Sequence, residues 1–213
     1  AVLLSGGSVG NSSGTGTLSG AVTLTGNNHL SSSGSGLSVT GQVGGSGGWS
    51  VDGGSVTLSN AANNHGGDVA VTAGTLTVLG GSALPDAATV TLSGTATLAL
   101  GASETIGALV GAAGTTANLA SHTLTTGGNN STTRFDGVTA GGATSALVKT
   151  GTGRFTLGGA RRFAKAEEPR GYSVHLCRAS LIDAGTHVNV WVLLHQTVKF
   201  TNNSRVSTVN CRH

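Results

Sequence analysis

Methionine is absent from this chain, aromatic residues make up 3% and charged residues 9%, and proline and cysteine occur twice each. Each shortage excludes a class of protein. A helical globular domain needs Leu, Glu, Lys and Arg in runs of helical period, and such runs are missing. Two cysteines make at most one bridge, which is no disulfide framework; both, Cys177 and Cys211, lie near the end, and the body leaves the redox compartment open. No run approaches the roughly 18 apolar residues of a membrane helix. Ala1-Val2-Leu3-Leu4 is too short for a signal-peptide core and has no basic residue before it. An exported protein of this kind is expected to have lost its beginning here.

What is plentiful is small. Glycine supplies 37 of the 213 residues, and hydrophobic residues reach 37%. Disordered chains combine low hydrophobicity with high charge, so this composition predicts a folded chain built from small side chains. Charge is unevenly placed. Residues 1–160 hold Arg134, Lys149 and Arg154 against Asp52, Asp68, Asp86, Glu104 and Asp136. Residues 161–213 hold eight basic residues against Glu167, Glu168 and Asp183, so the net charge of +3 belongs to the tail. Its cations are scattered rather than clustered, which argues against a nucleic-acid partner.

The body repeats itself. Val22-Thr23-Leu24-Thr25 leads to Asn27-Asn28-His29, and Val56-Thr57-Leu58-Ser59 leads to Asn63-Asn64-His65. Thr123-Leu124-Thr125 runs into Gly127-Gly128-Asn129-Asn130, and shorter units such as Thr75-Leu76-Thr77-Val78 and Thr89-Val90-Thr91-Leu92 fill the gaps. Alternation of Thr or Ser with Val, Leu or Ala is the period of a strand with one buried face. Threonine fits the outer face, its β-branch matching the pleat and its hydroxyl staying hydrated. The Gly-Gly, Asn-Asn and Ser-Gly pairs between strands make tight corners. A sandwich core must span about 10 Å with large side chains, which this chain lacks. Recurring phrases suit coils stacked on one another. At about 20–25 residues per coil and about 4.8 Å per coil, residues 1–160 make a rod of roughly 35 Å.

Leu147-Val148-Lys149-Thr150-Gly151-Thr152-Gly153-Arg154-Phe155-Thr156-Leu157-Gly158-Gly159 resembles the autotransporter-associated β-strand repeat, whose phrase runs Leu-x-Lys-x-Gly-x-Gly-x-Leu-x-Leu-x-Gly. Gly54 to Val78 is similar to the portion that follows, with Gly66-Gly67 as the turn, and Gly80 to Asp86 is similar to the linker after it. The resemblance covers about residues 20–160. It implies a right-handed parallel β-helix, secreted to the bacterial surface through an outer-membrane β-barrel translocator that is missing from this sequence. It implies a stalk or scaffold, or else an adhesin for a surface ligand or glycan; neighbouring passenger coils would be its other partners.

The match stops at Arg161, where the composition changes to Arg161-Arg162-Phe163-Ala164-Lys165. Residues 161–213 are therefore expected to be an irregular tail, either read out of frame or forming a cap, with His187 to Leu194 as a capping strand. The fold expectation is all-β: a solenoid over about 15–160 within a 1–160 domain, followed by that tail.

Candidate chemistry is thin. His29 and His65 begin a metal site if they meet on adjacent coils, but asparagine and histidine at corners more often serve the backbone. His175, His187, His195 and His213 with Cys177 and Cys211 match no compact zinc spacing. The body's acids are isolated; Asp52 and Asp68 are a pair that neighbouring coils can stack. Glycosidase work needs paired carboxylates, so the expectation is no enzyme, no catalytic, cofactor or metal residues, and no cofactor. The threonine pairs raise one further class, an ice-binding face, which requires the same pair on one flat face of each coil; in sequence they are irregularly spaced.

Overall fold

In the computed structural model each alternating Thr/Val/Leu segment of residues 1–163 is a strand, and there none pairs with its sequence neighbour. The structure describes residues 1–163 and, beyond them, the strands Leu176–Asp183, Thr186–Leu193 and Arg205–Arg212. The chain forms two compact units, Ala1–Ala166 and Glu167–His213. In the first, all pairing is parallel between segments about 20 residues apart, such as Val2–Ser5 on Val22–Thr25. This is a parallel β-helix.

Its coils have three faces. Face B is an eight-stranded sheet from Ser8–Asn11 to Phe155–Leu157, and face C an eight-stranded sheet from Thr15–Leu18 to Arg161–Phe163. Face A starts with Val2–Ser5, Val22–Thr25 and Val43–Gly45, and resumes with Glu104–Ile106, Thr123–Thr126 and Ala146–Lys149. Two coils between these blocks have no strand there. Eight coils at about 4.8 Å each give the unit an axial length of roughly 38 Å. Arg161–Phe163 pairs parallel with Val138–Gly141, so the stack runs a few residues past the composition break.

Alternation decides what is inside. Leu37, Val56, Leu76, Leu98 and Ala117 make one inward column of face C, each 3% exposed or less. Val51, Val71 and Leu92 make a column of face B, also sealed. That second column meets Gly111 and then Phe135. The phenyl ring occupies the space that Gly111 leaves: a Cβ there would lie 2.3 Å from it. Burying one such Leu, Val or Phe contributes about 1.5–3 kcal/mol, so small residues suffice when every coil adds several. Three inward hydroxyls, Ser32 Oγ, Thr126 Oγ1 and Thr139 Oγ1, have no hydrogen-bond partner among the described residues. Thr139→Val keeps the shape and removes a desolvated hydroxyl, so it should raise the unfolding free energy by about 1 kcal/mol in urea titration.

Glycine sets the corner between faces B and C. Gly14, Gly34, Gly54, Gly74, Gly94 and Gly114 recur there about 20 residues apart. Five of the six have positive φ, from 59° at Gly14 to 93° at Gly114. The Thr75 N–H donates to the Gly54 carbonyl at 2.8 Å, and the Thr97 N–H to that of Gly74 at 2.9 Å, so the bend is itself a hydrogen-bonded ladder.

Among the described residues of the second unit, three strands pair antiparallel, with Leu176–Asp183 in the middle. The strand expected over His187 to Leu194 is Thr186–Leu193, and the backbone register sets Cys177 opposite Cys211.

Candidate functional site

The polar groups that do unusual work in this molecule lie where face A loses its strands. A coil without a strand leaves the backbone of its neighbours unpaired, and buried unpaired groups are costly. Asn63 and Glu104 fill that role with side chains. Asn63 Oδ1 accepts from the Val43 N–H at 2.8 Å, and its Nδ2 donates to the Ala83 carbonyl at 2.8 Å. One coil on, the Glu104 carboxylate accepts from Ala83 N–H at 3.1 Å and Leu84 N–H at 3.3 Å. Across four consecutive coils these two side chains thus take up backbone groups that a sheet ladder would pair, beside remaining backbone bonds such as Asn64 N–H to the Val43 carbonyl at 2.9 Å. Asn28 does similar service at the corner between faces A and B, accepting from Gly7 N–H and donating to Gly48 O.

Glu104 is 3% exposed. Burial pushes its carboxyl above the ordinary value of 4.5; the backbone donors at Ala83 and Leu84 pull it partly back, and Asp86 adds to the rise. His65 is also sealed, at 1% exposure, and stands edge-on to Trp49 with ring centroids 5.9 Å apart. Its Nε2 accepts from the indole Nε1–H at 3.1 Å, so its Nδ1–H is free to donate to Gly67 O at 3.1 Å. Both nitrogens are used by the neutral ring, and burial holds its pKa below 6.5 against the opposing Gly67 carbonyl.

The two groups give opposite pH slopes. His65 is depressed in the fold, so its contribution is complete above about pH 6.5 and is lost as pH falls through the folded value. Glu104 is raised, so its contribution is complete below the unfolded value of 4.5 and is lost as pH rises through the folded one. Unfolding free energy measured against pH for Glu104→Gln should lack the decline toward neutral pH that the native residue adds. Parallel profiles would show that Glu104 does not titrate this way.

On the outside, face B carries the one cluster of catalytic-type side chains among the described residues. His29, Ser50 and Asp52 come from two adjacent coils, with Thr72 from a third. His29 Nδ1 lies 2.5 Å from Asp52 Oδ2 and 2.8 Å from Ser50 Oγ. Ser50 and Thr72 hydroxyls both donate to Asp52 Oδ1, at 2.8 and 2.9 Å. Slight burial raises the Asp52 carboxyl, but the hydrogen bonds from Ser50, Thr72 and His29 outweigh it and hold the group below 3.8. A nucleophilic triad needs the hydroxyl on Nε2 and the carboxylate on Nδ1. Here both meet Nδ1 and the Ser50 proton points to Asp52, so no proton relay is set up. Beside the cluster runs a shallow cleft of about 330 Å³ whose lining includes Asn27, His29, Ser50, Asp68, Ala70 and Thr91.

Pairs suggested by the sequence phrases are separated. His29 stands outward on face B in register with Ser50 and Ser8, whereas His65 is buried against Trp49. Asp52 follows its face-B strand and meets Thr72. Asp68 precedes the next strand and caps the Thr89 N–H at 2.8 Å. The reason is that Val22-Thr23-Leu24 lies on face A and Val56-Thr57-Leu58 on face C, so the two Asn-Asn-His phrases fall on different faces. Among the described residues no three His, Cys, Asp or Glu side chains converge on a metal-sized point. His175, His195 and His213 lie outside the described residues, and His187, Cys177 and Cys211 are described only as backbone positions in strands. The bridging roles of Asn63 and Glu104 were missed by reading hydrophobic phrases; their signal is spacing, since each acts on a residue 20 or 21 positions away. Comparison of the chain with models of protein families, with curated proteins and with solved structures finds no match.

Proposed function

We propose that the solenoid is a passive stalk or scaffold segment of a secreted bacterial surface protein of the autotransporter kind, without a catalytic centre. One observation carries this reading: eight coils in which each stacks on the next through continuous parallel ladders. Such a stack converts sequence length into distance, about 4.8 Å for each coil, and its surface is mostly Thr, Ser, Gly and Ala. A translocating barrel encoded in frame further along, and a signal peptide before, complete the proposal; sequencing the flanking DNA tests it, and their absence in every frame would end it. A spacer should also tolerate loss of a whole coil. Deleting residues 55–74 joins Gly54 to Thr75, the register partner of Ser55. Small-angle scattering should then show a folded rod shorter by about 4.8 Å.

An adhesin is the second reading, favoured by the cleft beside His29, Ser50 and Asp68. Those groups can donate to and accept from the hydroxyls of a neutral glycan. Saturable glycan-array binding that disappears in His29→Ala would select it.

A further inference from the structure

We propose that face C is an adsorption surface for the water lattice of an ice crystal. The observation is a matter of register. Ser55, Thr75, Thr97 and Thr116 stack in one outward column. Thr17, Ser38, Thr57 and Thr77 stack in a second, two residues along each strand. Complete pairs stand on this sheet at Thr15/Thr17, Ser55/Thr57 and Thr75/Thr77, and the single hydroxyls of Ser38, Thr97 and Thr116 extend the two columns, whereas Thr23/Thr25, Thr89/Thr91 and Thr123/Thr125 lie on the other faces. Their repeat is about 4.8 Å along the stack, held by backbone hydrogen bonds, and about 6.6 Å across it, held by the extended covalent backbone, rather than by mobile side chains. Threonine offers such a surface a hydroxyl that can join a water lattice and a methyl that sheds disordered water.

Charge and area narrow the occupant. From Thr15 to Ala140, the outward positions of face C carry no formal charge. A nucleic acid or anionic membrane requires cations, so a neutral surface is the complementary one. Crystalline polysaccharide is commonly held by aromatic faces, and none of these outward positions is aromatic. Strand addition is closed because the inner strands of this face are paired on both edges. A second copy would bury too little: about 34 Å by 13 Å is about 440 Å² per partner, against about 800 Å² in a stable complex. A crystal needs no reciprocal patch and meets every coil at once.

Ice-affinity partition of the whole 213-residue chain tests this, alongside thermal hysteresis. Enrichment in the growing ice shell is expected. Thr57→Lys and, separately, Thr75→Lys should reduce it by about tenfold or more, since a buried, unpaired ammonium is costly at the contact. Thr23→Lys on face A and Thr91→Lys on face B should leave it unchanged, with circular dichroism confirming β-structure in all four. Exclusion of the folded native chain from ice like an inert solute would overturn the proposal, and this result does not depend on any variant. So would equal loss in all four variants, retention on microcrystalline cellulose without retention on ice, or a dimer that Thr57→Lys dissociates.

Discussion

Gly74→Ala is expected to lower the unfolding free energy by about 2–5 kcal/mol. Two terms add. At φ 78° an L-residue places its Cβ against its own carbonyl, which costs about 1–2 kcal/mol. The new Cβ would also lie 2.1 Å from the Gly54 carbonyl oxygen of the coil beneath, and overpacking of rigid backbone typically costs a further 1–3 kcal/mol or so. Two companions separate the terms. Gly14 occupies the same corner at φ 59° but has nothing within 4 Å of a built Cβ, so Gly14→Ala should lose only the backbone share, about 1–2 kcal/mol. Gly53 has open space and no positive φ, so Gly53→Ala should be neutral or gain about 0.4–1 kcal/mol by restricting the unfolded chain. Chemical denaturation ranks the three. If Gly14→Ala and Gly74→Ala lose equally, close coil stacking is not what selects glycine at this corner.

Asn63→Leu should cost about as much for a different reason. Leucine has similar bulk, yet it strands the Val43 N–H and the Ala83 carbonyl in a sealed interior. Each orphaned group costs about 1–3 kcal/mol, giving about 2–6 kcal/mol together. By contrast Asn118→Ala should lose roughly 0.5 kcal/mol, because its bond to Ala120 N–H is on the exposed surface. Asn63 and Glu104 share Ala83, one taking its carbonyl and the other its amide. The Asn63→Leu and Glu104→Leu effects should therefore fail to add, with coupling read from a double-mutant cycle. Amide exchange gives a local signature: Val43, Ala83 and Leu84 should lose protection well before the ladders of faces B and C do. Uniform loss of protection would mean that these coils do not open separately.

The interrupted face also shows how far residues alone can be read. Strand positions follow from alternation of Thr with Val or Leu, a local property that needs no partner. The inward identity of Leu76 or Val56 follows from the same alternation. Parallel stacking was legible from the scarcity of large side chains together with recurring phrases. The six corner glycines from Gly14 to Gly114 state the coil length openly, but a search keyed to apolar phrases passes over them. The phrases themselves misled about equivalence, because Val-Thr-Leu marks a strand on any of three faces. Hence His29 and His65 looked like partners and are not.

Composition and alternation alone were enough to determine that this chain is made of short parallel strands, wound into coils of small residues, with a tail of different character. Which face each segment occupies depends on the accumulated lengths of all the corners before it, a quantity that no local pattern contains. For that reason only the tertiary structure decided that Asn63 and Glu104 replace a missing ladder, that Ser50, Asp52 and His29 meet, and that the scattered threonines of face C stand in columns.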